Sequence, residues 1–117
     1  MIIIFKIFSI DYHGHWDKKT GHVSPFLNHP EDEYFYFNTN YTINYWIEKG
    51  SPRSKIVMGM PLYGQSFTLD NSKEHGLNAA ARQKGSAGEY TRAPGFLAYY
   101  EICQRINKEK WTVVKDR

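Results

Sequence analysis

Residues Ile2 to Ile10 form an almost unbroken apolar run that closes on Asp11. Continuous hydrophobicity without alternation predicts a strand buried on both faces, as in a parallel sheet. From Tyr12 to Asn38 the chain turns polar and aromatic and shows no period, and Gly21, Pro25 and Pro30 interrupt it. It reads as a loop, and a loop of that length in a small domain is commonly functional. A helix follows over Tyr41 to Lys49, with Ile43, Trp46 and Ile47 on one face, Asn40 as its cap, and Gly50 and Pro52 as its stop. Lys55 to Leu62 then predicts a second buried strand, with Pro61 near its end because proline has no ladder donor. Strand, loop, helix and strand in this order make a βαβ unit with parallel neighbours.

Beyond Tyr63-Gly64 the pattern changes. Gln65 to Leu69 alternates and suits a further strand, whereas Asp70 to Thr91 is rich in Gly, Ala and polar residues and reads as turns. Pro94 opens a helix predicted to run to about Asn107, with Phe96, Tyr99, Ile102, Cys103 and Ile106 on one face. Trp111 to Val114 reads as a short strand, and no internal repeat is present.

Length narrows the architecture. At 117 residues the chain supports one domain. A complete (β/α)8 barrel needs roughly 250 residues, so the chain can hold only a piece of one. Apolar residues make up 41% and charged residues 23%, a globular composition, while aromatics reach an unusual 16%. The net charge of +3 comes from scattered Lys and Arg, and the end of the chain mixes both signs at Lys108, Glu109, Lys110, Lys115, Asp116 and Arg117. Nucleic-acid binding would gather basic residues into a stripe, so no nucleic-acid partner is expected. The opening apolar run is too short to span a bilayer and lacks a signal peptide's basic flank and cleavage site, so neither membrane insertion nor a signal peptide is read here. Cys103 is the only cysteine, which excludes a thiolate-built zinc or iron–sulfur centre. It fits either a reducing compartment or half of a disulfide whose partner lies outside these residues. Asn40-Tyr41-Thr42 is an N-glycosylation acceptor for a secreted protein.

Chemistry points to the strand ends. Asp11 closes the first predicted strand and Tyr63 the second, the positions from which barrel side chains enter an active site. A cap or turn role for Asp11, and a rim-closing role for the Tyr63 ring, are the alternatives. His13, His15 and His22 lack a metal-ligand spacing and a carboxylate partner set, so no metal or cofactor is expected. The chain contains neither a Gly-x-Ser-x-Gly nucleophile elbow nor a Gly-x-Gly-x-x-Gly phosphate loop. Trp16, next to Asp11 in the loop, offers a flat apolar face of the kind that packs against a pyranose ring, while Tyr34 to Phe37 read as the loop's own aromatic anchor.

Several segments resemble glycoside hydrolase family 18 chitinases of the arthropod type. They are Asp11-Tyr12-His13-Gly14-His15-Trp16-Asp17, Tyr45-Trp46-Ile47-Glu48-Lys49-Gly50, and the run from Lys55 to Phe67. Gly88-Glu89-Tyr90-Thr91 and Gly95 to Cys103 complete the set. The resemblance implies an α/β fold: a fragment of a (β/α)8 TIM barrel with part of a small α+β insertion domain. Residues 1–66 would be the partial barrel, with its sixth and seventh strands, and residues 67–117 the partial insertion domain. It implies hydrolysis of β-1,4-linked N-acetylglucosamine polymer by a retaining, substrate-assisted route, in which the sugar's own acetamido carbonyl attacks C1. Asp11 would steady the charged acetamido intermediate; Trp16, Tyr63, Gln65 and Phe96 would touch sugar. Gln65 falls where some members place an arginine, and Phe96 where others have a methionine. The implied partners are chitin or chito-oligosaccharides, the implied location is extracellular, and Cys103 would be a disulfide half.

Two departures qualify this. Members usually read Met-x-Tyr-Asp at the sixth strand, but Phe8-Ser9-Ile10-Asp11 lacks the methionine and the tyrosine whose hydroxyl bonds to the acetamido carbonyl. The fourth-strand motif Asp-Gly-x-Asp-x-Asp-Trp-Glu is absent, so no residue here can be the general acid. The isolated chain is therefore expected to be inactive, with a non-hydrolytic chitin-binding relative as the alternative reading of the parent. Glu89 and Glu101 match insertion-domain positions instead.

Overall fold

The computed structural model describes residues 3–115. Strand β1 (Phe5–Ile7) lies parallel to β2 (Ile56–Met58), with Phe5 opposite Ile56 and Ile7 opposite Met58. Gly59 extends the pairing by donating its N–H to the Ile7 carbonyl at 2.8 Å. Between them runs helix α1 (Thr39–Glu48), whose Trp46 meets the Phe5 ring at 6.2 Å, so the βαβ order expected from the pattern is present.

The burial expected of that apolar run is not. Of the run's described apolar residues only Ile7 is buried, while Ile3 and Ile4 are exposed and Phe8 is 70% exposed. A two-stranded ribbon covers one edge of each strand; burial on both faces requires further strands and helices, which the described residues lack. The regular part is correspondingly short, three residues in place of nine. The Cα radius of gyration is 16.1 Å, above the roughly 13 Å of a closed domain of this length. No closed barrel forms among the described residues: their strands make three separate pairs.

Helix α1 begins earlier than the pattern suggests. Asn38, not Asn40, is its cap: Asn38 has extended backbone and its Oδ1 accepts the Tyr41 N–H at 2.8 Å, while its Nδ2 donates to the Phe35 carbonyl. Two asparagines two residues apart both suit a cap, and the buried one with a tertiary anchor wins. Gly50, at a φ of 96°, ends the helix in the left-handed region.

The second half differs more. Strand β3 (Tyr63–Gln65) pairs with a distant segment, and β4 (Phe67–Thr68) pairs antiparallel with β5 (Gln83–Lys84), so the alternating stretch splits at Ser66. The distant segment is β6 (Phe96–Ala98), antiparallel to β3 with Gln65 opposite Phe96. Helix α2 (Tyr99–Glu109) therefore starts five residues after Pro94, and Phe96 leaves the helical face assigned to it. The ladder with β3 and the burial of Leu97 outweigh the local signal of a proline at a helix start. Trp111 to Val114 has no regular structure; the Arg105 guanidinium lies 5.4 Å over the Trp111 ring.

The long loop is stitched to the second half of the chain. Thr20 donates its N–H to Ala79, its carbonyl accepts from Asn78, and its hydroxyl donates to the Gly76 carbonyl at 2.7 Å. Inside the loop, buried His13 is held at both ring nitrogens: Nδ1 is 2.9 Å from Asp17 and Nε2 is 3.2 Å from Asp32. Such burial is tolerable because each polar atom has a charged partner. Cys103 lies partly buried on α2 as a free thiol; with a single cysteine the chain holds no disulfide, and that expectation is not met within it.

Candidate active site

Four residues beyond Ile7, the last ladder position paired from β1, Asp11 takes a φ of 57°. A left-handed conformation is uncommon for a side-chain-bearing residue, though aspartate tolerates it better than most. It swings the carboxylate out of the strand direction, and the surrounding structure holds the strain. Asp11 is exposed, and its Oδ1 accepts the Gln65 Nε2–H at 3.1 Å.

Strand alternation assembles the rest. Tyr63 and Gln65 are two apart on β3 and share one face, while Gly64 between them faces α2, where a Cβ would meet Ile102 at 3.0 Å. Phe96, opposite Gln65, lies on the same face, diagonal to Tyr63, and the two rings stand 4.8 Å apart at 31°. Leu97, on the other face, is buried. One side of a two-stranded ribbon thus presents Tyr63, Gln65 and Phe96 beside Asp11. Burial, and then the hydrogen bonding and charge of Asp11, push the Tyr63 hydroxyl up to about 12. Tyr63 therefore remains a neutral donor across the physiological range.

Trp16 approaches from the loop. It lies in a single 3-10 turn, His15–Asp17, that is closed by Asp17, whose carboxylate accepts both the Gly14 N–H and the His13 ring. The indole rests on Gly14 so closely that a Cβ there would come within 2.4 Å of it. His15 meets the indole edge-on at 5.2 Å, and its Nδ1 faces Gly95, the residue before Phe96. Half-exposed Trp16 therefore flanks the ribbon, but among the described residues its ring pairs with His15 and not with Tyr63 or Phe96.

The remaining candidates lie apart from this cluster. Asn40 is exposed in the first turn of α1, and Cys103 sits on α2. Glu101 is 2% exposed and accepts the backbone N–H groups of Tyr90, Thr91 and Ala98 together with the Thr91 hydroxyl. Burial pulls its carboxyl upward, but those four donors outweigh it and hold it at about 2. It is an ionised structural anchor, not a proton donor. Sequence reading missed the partnership of His13 with Asp17 and Asp32. The four-residue spacing of His13 and Asp17 is a local signal for the first contact; the second closes a nineteen-residue separation and has none.

The family model "Glycosyl hydrolases family 18" matches residues 3–117. Probable chitinase 10 of Drosophila melanogaster is 64% identical over 110 residues, covering 94% of this chain and 5% of that protein. Human chitinase-3-like protein 2 is 46% identical over 116 residues, covering 96% of this chain and 30% of that one. The structure of catalytic domain 2 of the Ostrinia furnacalis Group II chitinase superposes with a TM-score of 0.95 at 48% identity. That match covers 98% of this chain and 30% of the other, and the same domain has been crystallised as a mutant with a chito-oligosaccharide, (NAG)5. Human YKL-39, described as a pseudo-chitinase with retained chito-oligosaccharide binding, superposes at 0.84 with 44% identity, over 91% of this chain and 30% of that one. The chain thus spans under a third of the relatives it matches. From residue 3 to its end, this chain belongs to the glycosyl hydrolases of family 18.

Proposed function

We propose that these residues form one side of the sugar groove of a longer, extracellular chitinase that cleaves β-1,4-linked N-acetylglucosamine polymer with retention of configuration. In this reading residues 1–66 contribute two barrel strands and residues 67–117 part of the insertion domain. Asp11 faces the acetamido group of the bound sugar, whose carbonyl attacks C1 and whose nitrogen becomes electron-poor as it does so. A fixed carboxylate there is most favourable when that charge develops, so it favours the transition state over bound substrate. Tyr63 donates from its neutral hydroxyl, Phe96 and Trp16 present ring faces to the apolar faces of pyranose units, and Gln65 lies beside Asp11. The acid that protonates the glycosidic oxygen belongs to a segment outside these 117 residues.

The observation that carries this reading is the placement of Asp11 in a left-handed turn just past a parallel strand, bonded to the β3–β6 ribbon. Ile10 favours a second reading, a protein that binds chitin without cleaving it, because the position where members carry the acetamido-bonding tyrosine has no hydroxyl. Incubating the pure chain, and a longer protein that carries it, with chito-oligosaccharides separates these outcomes. The isolated chain binds without turnover; the longer protein hydrolyses in the first reading and only binds in the second. Turnover by the isolated chain contradicts both.

A further inference from the structure

Asp11 is exposed, strained at a φ of 57° and four residues past the last position paired from β1, so the sheet does not aim its carboxylate. What reaches it is the opposite ribbon. The Gln65 Nε2–H bonds to Asp11 Oδ1 at 3.1 Å across 54 positions of sequence, and the Tyr63 hydroxyl, on the same ribbon, feels that carboxylate through hydrogen bonding and charge. Gln65 is itself well held. Its backbone is paired opposite Phe96, and the next residue, Ser66, donates its N–H to Gly95 at 2.9 Å. The amide fixes the carboxylate's orientation while adding no charge, whereas a cation at this distance would cancel much of the field Asp11 projects into the groove.

We infer that Gln65 is a positioning residue: it acts on bound sugar through Asp11, orienting that carboxylate toward the acetamido group while leaving its negative charge intact. The inference rests on the groove reading given above. It replaces a direct sugar contact for Gln65 with an indirect one, and it predicts coupling between two side chains in place of independent effects.

A double-mutant cycle with Asp11→Asn and Gln65→Met tests it, using calorimetry with penta-N-acetylchitopentaose. Gln65→Met weakens binding about tenfold when Asp11 is present, the scale of a lost hydrogen bond to a charged group. In the Asp11→Asn background the same change costs less than about twofold, because the effects of residues acting as a unit do not add. Equal losses in both backgrounds mean that Gln65 meets sugar directly and overturn the inference. A second measurement needs no variant at position 65 and no sugar. The Gln65 side-chain amide signal in 15N–1H NMR moves on Asp11→Asn by more than those of Gln83 and Gln104, because of the three only Gln65 bonds to that carboxylate. An unmoved Gln65 amide signal overturns the inference. Absence of pentamer binding by the wild-type chain overturns the groove reading alone, and the amide signal then decides the role of Gln65.

Discussion

Glu101 accepts two hydrogen bonds from Thr91, one from its backbone N–H at 3.0 Å and one from its hydroxyl at 2.8 Å. With the Tyr90 and Ala98 N–H groups, this ties the 88–91 turn to the start of α2. Gly88 permits the approach, since a Cβ there would lie 2.2 Å from Glu101 Oε1. Because the folded carboxyl is held at about 2 against an ordinary 4.5, its contribution is fully present above about 4.5 and is lost as pH falls toward 2. Thermal melts from pH 6 to pH 2 should show the wild-type midpoint falling through that window. Glu101→Gln should begin lower and fall less. Parallel curves would remove Glu101 as the anchor.

His13 is the internal fastener of the groove loop. His13→Ala leaves the Asp32 carboxylate, only 5% exposed, without its imidazole partner and with the Tyr34 N–H alone, and should cost about 3 kcal/mol in urea unfolding. Asp17→Asn, at the more open end of the same bridge, should cost about 1 kcal/mol. Equal effects at both positions would contradict this ordering.

Gly14 controls Trp16 by space alone, since its backbone is extended and any residue adopts that conformation. Gly14→Ala should displace the indole at a cost of about 1–3 kcal/mol. It should weaken chito-oligosaccharide binding to the same degree as Trp16→Ala, as titration calorimetry can read. Wild-type affinity in both variants would remove Trp16 from the groove.

The helix cap offers a local check. Asn38→Ala should destabilise the chain by about 1 kcal/mol. Asn40→Ala, exposed within the first turn, should stay within about 0.5 kcal/mol. Denaturant midpoints for the two variants distinguish the positions.

Tyr63 should ionise near 12, followed by its ultraviolet absorbance in alkali. In Asp11→Asn the titration should move down yet stay above 10, because burial is the larger cause and survives the substitution. No movement would separate Tyr63 from Asp11.

The βαβ order was legible because apolar runs and turn residues are local, and the run ending at Asp11 correctly marked a strand in front of a candidate carboxylate. Its depth of burial was not legible, since Ile3, Ile4 and Phe8 read as buried only if other strands flank them. Phe96 shows a different failure. Pro94 and the apolar spacing after it are a sound helix signal, but β3 lies thirty-odd residues upstream and claims Phe96–Ala98 for its ladder. Among the site residues, strand-end position singled out Asp11 and Tyr63, and motif resemblance added Gln65 and Phe96. Neither could foresee that Gln65 bonds to Asp11, because such a pair exists only after both strands are in register.

The central claim is that Asp11 and the β3–β6 ribbon recognise the acetamido group of a chitin chain. Calorimetric titration with penta-N-acetylchitopentaose and with cellopentaose, which lacks that group, addresses it most directly. The acetylated sugar should bind at least about tenfold more tightly, and Asp11→Ala should remove most of that preference. Equal binding of the two sugars, or a preference untouched by Asp11→Ala, would contradict the claim.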